Sequence, residues 1–208
     1  MYSHLFISLL LMTSQPHSDD LQKLYTEETE INYDDLIVDV HGYKLPTRVA
    51  FRGWTLLNHA EDKVLKIGKQ LRDAGIKPTM PLHLILLQGT DWVMSNTTLF
   101  TLPNSKHLPN MIRTLIFIQT YIEPEIGVVI PVSGERTDIY NQQAGGALRS
   151  KHLDFCALDL VPSSDISRPD LHKKLKAIHA KNGQKYEVGL GLYSGVRFHI
   201  DTCGFRSW

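Results

Sequence analysis

With only two cysteines, Cys156 and Cys203, the chain has too few for a disulfide scaffold or for a structural zinc site built on three or four thiolates. It also lacks a surplus of either charge. Lys plus Arg and Asp plus Glu number 22 each, so nothing in the composition attracts nucleic acid or an anionic membrane surface as a partner. No apolar run reaches the roughly 20 residues that a spanning helix needs, which argues against stable membrane insertion. Internal repeats, heptads and low-complexity tracts are absent too. What remains is a 208-residue chain, 42% hydrophobic and 21% charged, with apolar material for one core but hardly for two. A single domain and a monomer are expected.

The apolar stretch Leu5 to Met12, followed by polar residues, gives residues 1–17 the proportions of a secretory signal peptide and implies a periplasmic or secreted protein. No Lys or Arg precedes that stretch and no small-x-small cleavage site follows it, so a buried or frayed amino-terminal segment is the competing reading. Residues 18–35, rich in Asp, Glu, Ser and Thr, read as a polar linker or arm, and the folded domain is expected over 36–208.

Leu36–Val40 is β-prone and closed by His41-Gly42. Apolar residues from Trp54 to Asp73 recur at helical spacing, with Ala74-Gly75 as a cap. Leu82 to Leu87 is a short apolar run ended by the turn residues Gln88 to Asp91. A helix is expected from about Asn110 to Tyr121, stopping before Pro124, then a buried strand at Val128–Val132. A third helix spans from Ser167–Asp170 to Asn182-Gly183, and Tyr186–Leu192 with Val196–Ile200 reads as a closing hairpin around Tyr193-Ser194-Gly195. Helices dominate early and strands late, so the class is α+β, a single domain with helices packed on a central antiparallel sheet.

Chemistry is concentrated in Ser150 to Leu160 and Phe198 to Thr202. His152, Asp159 and His199 would supply two imidazoles and one carboxylate, leaving one corner of a tetrahedral metal open, as a hydrolytic zinc requires. Seven residues along a helix rise roughly 10 Å, and an odd separation on a strand puts side chains on opposite faces. His152 and Asp159 therefore meet on one ion only if the chain turns between them, most simply over Leu153 to Cys156. His199 and Asp201 share a strand face, so Asp201 either orients a ligand or accepts a proton. The spacing by itself carries little information, since His172 and His179 on the third helix repeat it. His41, His59, His83 and His107 read as surface or satisfied core positions. Each cysteine lies four residues from a proposed ligand; either the two bridge, as suits an oxidising compartment, or they are separate buried thiols.

Taken in order, Ser133-Gly134-Glu135-Arg136, Tyr140-Asn141, Gly145-Gly146-Ala147, Ser150-Lys151-His152, Ala157-Leu158-Asp159-Leu160, Gly189–Tyr193, Phe198-His199-Ile200-Asp201 and Arg206-Ser207-Trp208 resemble the zinc D-alanyl-D-alanine peptidase family. The likeness covers about residues 128 to 208. It implies an α+β fold, one catalytic Zn2+ on His152, Asp159 and His199, and hydrolysis of peptide bonds in peptidoglycan stem or cross-link peptides as a D,D-carboxypeptidase or endopeptidase. It assigns Arg136 to the substrate carbonyl or carboxylate, a task a fixed guanidinium suits because it stabilises a developing oxyanion. Ser150 would hydrogen-bond substrate or cap a turn. The pattern departs from the family at Val196, where several relatives carry a general-base carboxylate; Asp201 and Glu187 are the remaining candidates, with Asp201 preferred. Phe155 and Cys156 also replace a glycine-containing turn. The departures keep two alternatives open: a non-catalytic cell-wall-binding or zinc-stabilised domain, and a phage-type endolysin.

Overall fold

A hairpin comes first among the described residues. The computed structural model describes residues 36–90 and 97–208; the segments read as signal peptide (1–17) and polar arm (18–35), and the turn residue Asp91, lie outside the described residues. β1 (Ile37–Val40) pairs antiparallel with β2 (Tyr43–Pro46). His41 and Gly42 both take positive φ, +52° and +83°, the geometry of a tight hairpin turn. These two strands form their own small sheet, separate from the central one. His41 Nε2 donates to the Pro162 carbonyl at 2.9 Å.

The single helix expected over Trp54–Asp73 is two: α1 (Arg48–Leu57), capped by the Thr47 hydroxyl, and α2 (Glu61–Asp73). Asn58 Nδ2 donates to the Trp54 carbonyl, His59 turns left-handed at φ +48°, and Ala60 N–H reaches back to the Thr55 carbonyl. Those bonds satisfy the last carbonyls of α1 and end it. The apolar spacing misled because Leu56, Leu57 and Leu65 are exposed and report no common buried face.

Leu82–Leu87 divides between a one-turn helix, α3 (Leu82–Ile85), and a bridge from Leu87 to Phe100. α4 (Leu108–Phe117) runs on through a π-helical segment (Ile118–Ile122) into α5 (Glu123–Ile126). Pro124, expected to lie beyond the helix, sits in the first turn of α5, directly after the π-helical segment. Gly127, at φ +86°, provides the stop.

The remaining elements are β3 (Val129–Ser133), α6 (Asp138–Gln143), β4 (Ala157–Pro162), α7 (Arg168–Asn182), β5 (Gly189–Leu192), β6 (Phe198–Asp201) and β7 (Arg206–Ser207). The class is α+β in a single domain. The central sheet has the order β3-β4-β6-β5-β7, and β5 and β6 form the expected hairpin. Its pairs are antiparallel except the last: β7 runs parallel to β5. After β6 the chain reverses over Thr202–Phe205 and steps past β5 to its free edge, so β7 necessarily points the same way as β5.

Alternation along the strands sorts the side chains. Leu158 and Leu160 of β4, with Phe198 and Ile200 of β6, face the main core, which α4 and α7 complete through residues such as Met111, Leu115, Leu171 and Leu175. A second cluster, Leu45, Leu84, Leu87, Phe100, Val132 and Val161, is formed with the hairpin and α3. The intervening residues of β4 and β6 include Asp159 and His199, which line an open cleft.

Candidate metal centre

β3 delivers the chain to Ser133-Gly134-Glu135-Arg136, and each of these residues has a contact that depends on its type. Gly134 approaches the backbone at α3: its N–H donates to the Leu87 carbonyl at 2.7 Å, and a Cβ would lie 2.0 Å from the Ile85 carbonyl oxygen. No other side chain fits there. Ser133 Oγ donates to the Gln88 carbonyl and accepts from Arg136 Nε at 2.9 Å, and Arg136 NH2 reaches Asp159 Oδ2 at 3.1 Å. Glu135 is buried, one of its oxygens has no hydrogen-bond partner, and burial pushes its pKa up to about 8.

The reversal required between His152 and Asp159 occupies Lys151–Phe155. Cys156 N–H closes it on the Lys151 carbonyl at 3.0 Å, and Phe155 holds φ +48°. A left-handed phenylalanine is strained. Complete burial of its ring in the main core keeps it there. β4 and β6 are adjacent, with Asp159 directly opposite His199 in the ladder. A disulfide joins Cys156, just before β4, to Cys203, just after β6, so the first of the two cysteine readings holds.

His152, Asp159 and His199 are 3%, 2% and 4% exposed, and each offers a ligand atom within 4.8 Å of the others. His152 Nε2 lies 3.4 Å and His199 Nδ1 3.1 Å from the same oxygen, Asp159 Oδ1. The outward nitrogens are committed. His152 Nδ1 is 2.6 Å from the Gly134 carbonyl, which only accepts, and His199 Nε2 is 2.9 Å from Asp201 Oδ2. Both must donate, so in neutral rings the inward nitrogens present lone pairs toward a carboxylate. Three converging acceptors repel one another unless a positive charge sits among them. The group can therefore hold a metal ion.

The ionisation pattern agrees. Burial alone would raise Asp159, but the two imidazoles hold it well below the ordinary carboxylate range. Burial lowers His152 despite Asp159 beside it. His199 is raised even though burial opposes protonation, because its bonds to Asp159 and Asp201 favour the charged ring. A proton on His199 meets the same electrostatic demand that a cation would.

Asp201 lies behind His199 and does not line the cleft. It is fully buried and accepts from Arg206 NH1 and NH2 and from Cys203 N–H as well as from His199. Those contacts make it a positioning group for the imidazole. Glu187 is exposed and lines a different groove with Tyr186 and Arg113, and Val196 packs against the main core. Ser150 lines the cleft mouth beside Lys151.

The cleft encloses about 430 Å³, and further side chains shape it. Tyr193 donates to Asp159 Oδ1 at 3.3 Å, and its hydroxyl pKa is pushed up to about 12 by burial and by the neighbouring carboxylate. Trp208 packs against the His199 ring at 5.0 Å between centroids; Gly191 makes room, since a Cβ there would lie 2.6 Å from the indole. Gln88 is buried under Arg136, its backbone carbonyl taking the Ser133 and Arg136 bonds and its side-chain oxygen accepting from Thr137 N–H and hydroxyl. A glutamine before a predicted turn carries no spacing that reveals this.

Comparisons of the chain with protein-family models, with curated proteins and with solved structures found no match.

Proposed function

We propose that the chain is an exported zinc-dependent peptidase that hydrolyses peptide bonds in peptidoglycan stem or cross-link peptides. The observation that carries this reading is the donor set: two imidazoles with their outward nitrogens tied down, and one carboxylate, around a cleft open to solvent. Nitrogen and oxygen donors of this kind suit zinc, and a set of three leaves room for water and substrate. The ordered resemblance over residues 128–208 supplies the substrate class, and the disulfide suits an oxidising compartment.

When bound, zinc supplies a water that ionises near neutral pH and a Lewis acid for the scissile carbonyl. The residues of the chain do the rest. Gly134 and Asp201 fix the imidazole tautomers, so metal affinity does not depend on a ring rotating into place. Arg136, oriented by Ser133 and the Gln88 carbonyl, presents a guanidinium beside Asp159, where it would stabilise negative charge developing on the carbonyl oxygen. Tyr193 holds its proton across the neutral range and donates it as a hydrogen bond at the same edge. Ser150, at the mouth, is placed to hydrogen-bond the peptide backbone.

One observation favours a second reading. Among the described residues, Asp159 bears the only carboxylate side chain lining the cleft, and Val196 occupies the position of the usual base. A zinc-stabilised domain that binds cell wall without cutting it would have that composition.

Incubation with purified peptidoglycan, with and without chelator, separates the two readings by mass spectrometry of the soluble products. Release of D-alanine or stem peptides that stops on chelation is expected, and His152→Ala should lose both zinc and hydrolysis. Full activity in that variant removes the peptidase reading; binding to sacculi with no released product in zinc-replete buffer installs the second.

A further inference from the structure

A second cavity lies apart from the metal cleft and shares no lining residue with it. It encloses about 570 Å³ between α1, α2 and the connection that leads into α3, within the roughly 300 to 1,000 Å³ usual for small-molecule sites. Its inner wall is apolar. Leu71, Met80 and Ile85 are buried members of the main core, and Phe51, Ile76 and Leu82 line the same space half-buried. His83 is also buried there; burial and the nearby Arg48 push its pKa down to about 4, so the ring is uncharged at neutral pH. α2 keeps a glycine at this wall. Gly68 lies in the helix interior, where glycine costs about 1 kcal/mol relative to alanine, and a Cβ would touch only Leu82 Cδ2, at 3.4 Å. A longer side chain would extend into the cavity, so the glycine weakens the helix and leaves the space open.

The mouth carries charge of one sign. Arg48, Arg72 and Lys77 line the cavity and are exposed, no carboxylate lines it, and Asp73, next to Arg72 in sequence, is paired with Lys69 at 2.6 Å. Arg48 stands in the first turn of α1, where the helix dipole disfavours a cation and no acidic residue offsets it. Cations gathered without a counter-charge repel one another, and an anion held among them removes that repulsion. The two guanidinium forks suit a carboxylate.

An extended peptide fits the interior poorly. Pro78 and Pro81 offer no N–H on one side, and the amides within α1 and α2 are spent on their own helices, so a buried peptide backbone would lack partners. An aliphatic chain has no such groups to satisfy. Laid against Phe51, Ile76 and Leu82, it removes apolar surface from water on both sides of the contact.

We propose that this cavity binds a single-chain fatty carboxylate, with the tail lying over Gly68 between α2 and α3 and the carboxylate held at Arg48, Arg72 and Lys77. The site needs no metal and does not depend on the peptidase reading.

The test titrates the full chain by calorimetry with decanoate, decanol and acetate, each below the concentration at which it aggregates. Decanoate should bind at one site per chain, at least tenfold tighter than decanol, and acetate should show no measurable binding. Gly68→Leu, which fills the cavity without touching the charged mouth, should abolish decanoate binding. Arg72→Gln combined with Lys77→Gln should weaken the acid to the level of the alcohol. Thermal midpoints check that the variants fold, and decanoate should raise the midpoint of the wild type while leaving that of Gly68→Leu unmoved. If Gly68→Leu does not fold, the double variant decides. No binding of decanoate, equal affinity for acid and alcohol, several weak sites in place of one, or unchanged binding in either variant overturns the proposal. So does a wild-type dimer that dissociates in Gly68→Leu while decanoate fails to bind, because the cavity then receives a second copy of the chain.

Discussion

The amino-terminal helices and the central sheet treat apolar residues in opposite ways. On α1 and α2, Val49, Leu56, Leu57 and Leu65 are exposed, Leu57 to 84%. On β4 all six residues are buried, including Asp159. The sheet is packed on both faces around its polar residues, and a ligand-bearing strand with no slack cannot let its carboxylate drift. The helical region meets the site through a narrow seam, Ile85 to Gln88 against Ser133 to Arg136, made mostly of backbone carbonyls. Precision at the candidate metal site thus comes from the sheet, and the helices contribute a wall against which one arginine is aimed.

If that contrast is right, disturbances of equal chemical size should be felt very unequally. The largest effect is expected from the cross-link between the ends of β4 and β6: replacing both cysteines by alanine should cost about 4 kcal/mol of stability for a loop of this length, read from denaturant midpoints. Leu158→Ala, deleting a side chain with no exposure, should cost about 3 kcal/mol. Leu57→Ser on α1 should move the same midpoint by less than about 0.5 kcal/mol. Comparable losses at 57 and 158 would erase the distinction between the two regions.

The seam between them makes a pH-dependent prediction. Burial raises Glu135 from 4.5 to about 8, so the folded state holds a proton that the unfolded chain releases. Its stabilising contribution is fully present below about pH 4.5 and is lost as pH rises through about 8. Glu135→Gln should remove that decline, gaining about 3 to 4 kcal/mol over the wild type at about pH 8 relative to about pH 5. Parallel stability curves for the two proteins across that range would show that the carboxyl is solvated in the folded state.

The site was legible in part from spacing and in part from the order of the motifs between residues 128 and 208. Seven residues separate His152 from Asp159, a distance no helix or strand closes, and the turn at Lys151–Phe155 is the required answer. The two-residue step from His199 to Asp201 likewise fixed a shared face. Periodicity was less informative where the buried face is thin: it joined α1 to α2 across Asn58–Ala60, because a helix break marked by asparagine and a left-handed histidine leaves the apolar spacing intact. Pro124 appeared to end a helix that a π-helical segment carries onward. Gln88 and Arg197 act through contacts with residues distant in sequence or through ring stacking, and no local pattern encodes either.

The bond from Cys156 to Cys203 also makes a covalent ring that contains Asp159 and His199 and leaves His152 four residues outside it. A protease that severs the backbone once anywhere between the two cysteines produces two fragments that stay joined. In a nicked molecule His152, Asp159 and His199 thus remain parts of one covalent body, a form of durability that owes nothing to the tightness of the fold.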